Sequence, residues 1–180
     1  MTTLVLCRHA EEGNAEQARA LAEELADLRL AAVYTSPLGR AVETARAVAS
    51  PHELSPLVVS ELREIEFGDV EGLSFDEFPT GLQQGLLQAP AEVRFPGGET
   101  YTELQHRVCA ALDRIVGAHP DRAIVAVSHA GSIRAALAQW LRMDDHAIFR
   151  IDQRHASVNV VDWFDGVPLV RLMNGARLNG

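Results

Sequence analysis

The chain has two cysteines, no apolar run of membrane-spanning length, no basic tract and no internal repeat, and each absence removes a class of protein. Cys7 lies in an apolar stretch and Cys109 in a helical pattern, so they offer no disulfide framework. A membrane-spanning helix needs ~20 apolar residues, which no segment supplies. The first residues, MTTLVLCRHAEE, are apolar only from Leu4 to Cys7 before Arg8. That is too short for a secretory leader and lacks its basic start, so the expected location is cytoplasmic. A formal charge of −9 opposes nonspecific attraction to nucleic acid or anionic lipid, and neither is an expected partner. What remains is 180 residues, 47% hydrophobic and 23% charged, the makeup of one globular domain over 1–180.

The pattern along the chain alternates. Thr3 to Cys7 is a short apolar run bounded by charge, the form of a buried strand. Ala18, Leu21, Ala22, Leu25 and Leu28 then recur at helical spacing, opposite Glu16, Arg19, Glu23, Glu24 and Asp27. Ala31 to Thr35 predicts a second strand, Ser36-Pro37-Leu38-Gly39 a turn, and Arg40 to Ala49 a second helix. From Leu73 to Thr100, four glycines and three prolines predict short helices and loops, and residues 73–101 are the expected cap over a site. A long helix follows over Thr102 to Ala118, then a strand over Ala123 to Val127, a helix over Ile133 to Leu141, and a hairpin of Ser157 to Phe164 with Val167 to Leu172. The implied fold is α/β: three layers, with a mainly parallel central sheet and helices on both faces.

Such sheets bind ligands at the carboxyl ends of their strands. Arg8-His9, Ser36 to Arg40 and Ser128-His129 all fall there. A neutral imidazole is a competent nucleophile toward phosphorus and divides one hard hydrolysis into two easier steps, which suits His9. The charge on a phosphoryl group in flight calls for guanidinium donors, and Arg8 and Arg40 fit. His129 precedes a helix start, where free N–H groups favour an anion. A leaving alkoxide needs a carboxylic acid kept partly protonated by burial or by phosphate charge. Glu64 is the candidate, although Glu61, Glu66, Asp69 and Glu71 stand close by. Each residue alone also fits an ordinary structural role, and Gly131 reads as a backbone requirement of its turn. Their shared location makes the functional reading the stronger one. Trp140 and Trp163 read as core, His52, His119 and His146 as surface. Arg154 and His155, before the last strands, are assigned no role, and whether they approach the pocket is left open.

Four motifs in order, LVLCRHAEE at 4–12, YTSPLGRAVETA at 34–45, LREIEFGDVEGL at 62–73 and VAVSHAGSIRAAL at 125–137, resemble those of the histidine phosphatase superfamily, also called phosphoglycerate mutase-like. PGGETYTEL at 96–104 is similar to the family's segment before its long helix. The resemblance implies a phosphoglycerate mutase-like fold with His9 phosphorylated, Arg8, Arg40 and His129 binding phosphate and Glu64 donating a proton. It implies no metal and no cofactor, in keeping with a sequence that lacks close metal-ligand spacing. Two departures stand out. Ala10 replaces a common glycine and requires negative φ. Only Gly13 to Glu16 remain of a longer segment that in many relatives carries a substrate-gripping asparagine and arginine, so Asn14 is not equated with that asparagine. The shortening implies an open pocket whose substrate contacts come from Phe75 to Tyr101.

The expected activity is metal-independent hydrolysis of a small-molecule phosphomonoester through a phosphohistidine, with a small phosphorylated metabolite as partner. Within the same fold the alternatives are a phosphoglycerate mutase, which needs more lid than this chain offers, and a protein phosphohistidine phosphatase. An inactive phosphate-ligand binding module is the alternative of another class. An esterase built on Ser128 lacks the G-x-S-x-G frame. On base rates alone, an assembly of this chain would be a homodimer.

Overall fold

The computed structural model describes residues 1–178. Its sheet has six strands in the order β3-β2-β4-β1-β5-β6: β1 (Thr2–Arg8), β2 (Leu30–Thr35), β3 (Leu57–Val58), β4 (Ala123–Ser128), β5 (Val158–Phe164) and β6 (Val167–Gly175). β1, β2, β3 and β4 run parallel, whereas β5 and β6 add to the β1 side as an antiparallel hairpin. The sequence pattern anticipates these elements except β3, whose two exposed residues, Leu57 and Val58, are too few to show a strand period.

Alternation along β1 explains the three layers. Leu4 and Leu6 join a cluster with Leu104 and Leu112 of α4 (Tyr101–Gly117) and Ile133 and Leu137 of α5 (Ala130–Trp140). Val5 and Cys7, on the other face, pack with Leu21 and Leu25 of α1 (Ala15–Leu25) and Val48 of α2 (Gly39–Ala49). Strands covered on both faces must be apolar throughout, and Leu4 to Cys7 are all buried. Burial also pushes the Cys7 and Cys109 thiols up to about 12, which leaves them chemically quiet.

The helix starts differ in a way that bears on the site. Asn14 caps α1 by accepting the Gln17 N–H at 3.1 Å, so this side chain is committed to the fold. Thr100 and Glu103 form a capping box on α4. α2 and α5 receive no cap from the side chains of the residues that precede them, Leu38 and His129. Both of their amino ends stand at the carboxyl edge of the sheet.

Residues 73–101 contain one 3₁₀ turn at Phe75–Glu77 and the helix α3 (Thr80–Gln88). Trp140 and Trp163 pack edge to face, 5.0 Å apart. Of the histidines expected on the surface, His52 and His119 are partly buried, and the His119 ring bonds the Tyr34 hydroxyl at 2.8 Å. The His146 side chain lies outside those described. Among the described residues, no helix is long and apolar enough to cross a membrane.

Candidate active site

Register brings the strand ends together. Arg8 pairs with Ser128 and Thr35 with Val127, so the next residues, His9, His129 and Ser36, emerge side by side. The His9 and His129 rings are 4.9 Å apart. Arg40, in the first turn of α2, reaches back so that its Nε donates to His9 Nε2 at 3.2 Å. One turn later the Thr44 hydroxyl donates to the Arg40 carbonyl at 2.8 Å and accepts the Ala10 N–H at 3.0 Å, tying the loop after His9 to α2. Ala10 does not have positive φ, as its side chain requires.

The partners of His9 settle its tautomer. Nδ1 lies 2.6 Å from the Ala10 carbonyl, which can only accept, so Nδ1 carries the proton and Nε2 keeps a lone pair. Burial, joined by the charges of Arg40 and Arg8 and opposed by the Ala10 carbonyl, pushes His9 down to about 4. His129 goes further, to about 2, through burial and then through His9 and the same arginines. Both rings are therefore neutral at pH 7 beside two guanidinium groups. His129 Nε2 is 2.7 Å from Ser36 Oγ. Its buried Nδ1 has no hydrogen-bond partner among the described residues.

Arg8 is held from the opposite side. Its Nη1 donates to the Gln153 carbonyl at 2.6 Å and its Nη2 to His155 Nε2 at 2.8 Å, while the His155 ring stands 5.2 Å from His9. Gln153 is fixed through its side chain by Asn159, which also donates to the Leu6 carbonyl at 3.0 Å. His155 thus borders the site. Arg154 turns away to the Asn174 carbonyl.

Glu64 reaches the same place from its own loop. Its Oε2 accepts the Gly131 N–H at 3.2 Å, and its Oε1 the Ile65 N–H at 3.0 Å. The reading of Gly131 as a backbone requirement is corrected here: it has no positive φ, but a Cβ on it would fall inside the contact distance of Glu64 Oε1. The neighbouring acids go elsewhere, Glu61 to Arg114 and Glu66 to Arg63. The loop is pinned by Arg107, which sequence reasoning missed. Its guanidinium donates to the carbonyls of Glu61, Arg63 and Glu64 at 2.6, 2.9 and 2.9 Å and pairs with the buried Glu99. Glu99 in turn accepts the Glu66 N–H at 3.0 Å. Glu99 stood in the PGGETYTEL motif, but nothing local links it to Glu64.

The amino ends of α2 and α5, two neutral imidazoles and two guanidinium groups make a pocket suited to a dianion. Among the described residues, no three His, Cys, Asp or Glu side chains are arranged to hold a metal ion. A cavity of about 510 Å³ adjoins the Glu64 loop, lined by Phe67 of that loop, by Tyr101 and by the segment between them.

Comparison with known proteins was consistent with this geometry. The profile of the histidine phosphatase superfamily (branch 1) matches residues 4–175. Among curated relatives, the bifunctional protein Rv2228c of Mycobacterium tuberculosis is 33% identical over 149 residues, covering 81% of this chain and 41% of that protein. The chain therefore spans less than half the length of that relative. Phosphoserine phosphatase 1 of Hydrogenobacter thermophilus is 28% identical over 183 residues, covering 89% of this chain and 86% of that one. Among solved structures, YhfR of Bacillus stearothermophilus superposes with a TM-score of 0.88 at 27% identity, covering 97% of both chains.

Proposed function

The chain belongs to the histidine phosphatase superfamily (branch 1), and from that premise we propose that it hydrolyses a small-molecule phosphomonoester through a phosphohistidine on His9. The observation that carries this reading is the fixed tautomer of His9, with Nδ1–H on the Ala10 carbonyl and an unprotonated Nε2 that accepts from Arg40 Nε. That nitrogen attacks phosphorus. The P–O ester bond breaks, its electron pair goes to the ester oxygen, and Glu64 supplies the proton. The resulting ring keeps its Nδ1 proton, whose positive character the Ala10 carbonyl stabilises. Water then attacks phosphorus, giving its proton to Glu64 while the P–N bond breaks, and His9 returns to its starting form.

Arg8, Arg40 and His129 hold the nonbridging oxygens in this scheme. In this scheme the Ser36 hydroxyl, whose oxygen also accepts the Leu38 N–H at 3.3 Å, donates its proton to His129 Nε2. That leaves the His129 proton on the otherwise unpartnered Nδ1, where it can donate to phosphate. Segment 73–101 acts as the cap. Water rather than a second hydroxyl is the acceptor, because the short stretch after His9 gives little lid to retain an intermediate.

Phosphate release from a panel of small esters by EDTA-treated protein, with His9→Ala in parallel, tests the reading. Release that survives EDTA and is absent from the variant supports it. Equal release by the variant removes His9 from the mechanism, and interconversion of phosphoglycerates without net phosphate release would assign a mutase instead.

A further inference from the structure

The cavity beside the Glu64 loop draws on a scarce resource. The chain has six phenylalanines and two tyrosines, and Phe67, Phe75, Phe78, Phe95, Phe149 and Tyr101 all line this one space. They form a continuous series of ring contacts, with centroid separations of 5.0 Å for Phe67 with Phe95, 6.1 Å for Phe95 with Tyr101 and 4.8 Å for Tyr101 with Phe149. Two leucines and a proline complete the wall, and among the described residues Arg150 is the one charged member of its lining. A volume of about 510 Å³ falls in the range of small-molecule sites and is far larger than a packing defect. Phe75 and Phe149 remain 43% and 44% exposed, a cost that a ligand covering them would remove.

The cavity does not suit a phosphate, which needs several donors, and the histidine pocket already offers them. It does suit the organic part of an ester. In the reaction proposed above, Glu64 protonates the leaving oxygen, so the leaving group must begin at Glu64. Phe67 is three residues along the same loop. The Tyr101 phenol, pushed up chiefly by burial, also feels the Glu64 charge. The cavity therefore adjoins the loop that carries Glu64, the proton donor of the proposed reaction.

We infer that the preferred substrate is a phosphomonoester of a flat, apolar alcohol that inserts into this aromatic cavity, and that small polar alcohols are poor leaving groups for this enzyme. This rests on the roles of His9 and Glu64 given above. Aromatic walls reward a flat ring both by area and by edge and face contacts.

The test compares 2-naphthylmethyl phosphate with ethyl phosphate and O-phosphoserine, all esters of aliphatic alcohols, so that leaving-group chemistry differs little. The expected kcat/KM for the naphthylmethyl ester exceeds that for ethyl phosphate on the order of a hundredfold, carried mainly by KM. In Phe149→Ala, with folding checked by thermal melt, the ratio falls about tenfold. His9-dependent turnover of all three esters at similar kcat/KM would overturn the inference and leave the proposed function standing. If no ester is turned over in a His9-dependent way, the proposed function fails, and titration with 2-naphthylmethylphosphonate against ethylphosphonate decides the cavity alone. Tighter binding of the naphthyl compound, weakened by Phe149→Ala, supports it. Equal binding overturns it.

Discussion

Replacing Gly131 with alanine separates proton donation from the stability of the fold. The new methyl group would press on Glu64 Oε1, the far end of a flexible side chain rather than backbone, so the carboxyl group yields. Restoring ordinary contact displaces that oxygen by about 1 Å, and a misplacement of about 1 Å in a reacting group costs on the order of a hundredfold in rate. Stability moves little: alanine gains up to about 1 kcal/mol over glycine inside a helix, and weakening the Gly131 N–H bond to Glu64 gives back about as much. The rate loss should depend on the leaving group, because a strongly basic alkoxide needs the proton and 4-nitrophenolate hardly does. We expect Gly131→Ala to lower kcat for an alkyl phosphate about a hundredfold and for 4-nitrophenyl phosphate only a few-fold. The assay is phosphate release from both esters, alongside urea denaturation. Equal losses on both, an undiminished alkyl rate, or a stability loss above about 2 kcal/mol would refute the reasoning.

Arg107→Leu should cost about 3 kcal/mol by urea denaturation, because it leaves the buried Glu99 carboxylate unpaired; it should also lower activity by unpinning Glu64, and an unchanged rate in a folded variant contradicts that link. His9 and His129 are lowered from 6.5 to about 4 and about 2, so the unfolded chain binds more protons than the native one as pH falls below 6.5. Stability is therefore retained above that pH and lost on acidification, and between pH 6.5 and 4 the loss should be shallower in His9→Asn than in wild type; identical slopes refute this. The same lowering keeps the nucleophile neutral, so the acid limb of kcat/KM, corrected for ionisation of the ester, should lie below pH 5 rather than near 6.5.

Much of the frame could be read from sequence because the central strands β1, β2 and β4 are built on short apolar runs between charged or turn residues. Arg8-His9 and Ser128-His129 stand out as polar pairs where such runs stop, and parallel pairing places strand ends together without further information. Glu64 was harder to single out among neighbouring acids, since what distinguishes it is the approach to Gly131. The Glu99–Arg107 pair joins a loop to a helix, and no local pattern encodes that contact. The aromatic cavity is assembled from rings spread between Phe67 and Phe149; their spacing has neither helical nor strand period, so only the folded chain shows that they share a wall. Gly131 gave the right residue for the wrong reason, since the need is space for a carboxylate and not an unusual φ.

The most direct test of the central claim is to quench the protein in alkali during turnover of a phosphate ester and locate any covalent phosphate by mass spectrometry and phosphorus NMR. The account predicts an acid-labile phosphoryl group on Nε2 of His9, absent from His9→Ala. Phosphate on Nδ1 of His9, on His129 or His155, or on no side chain during rapid turnover would contradict it.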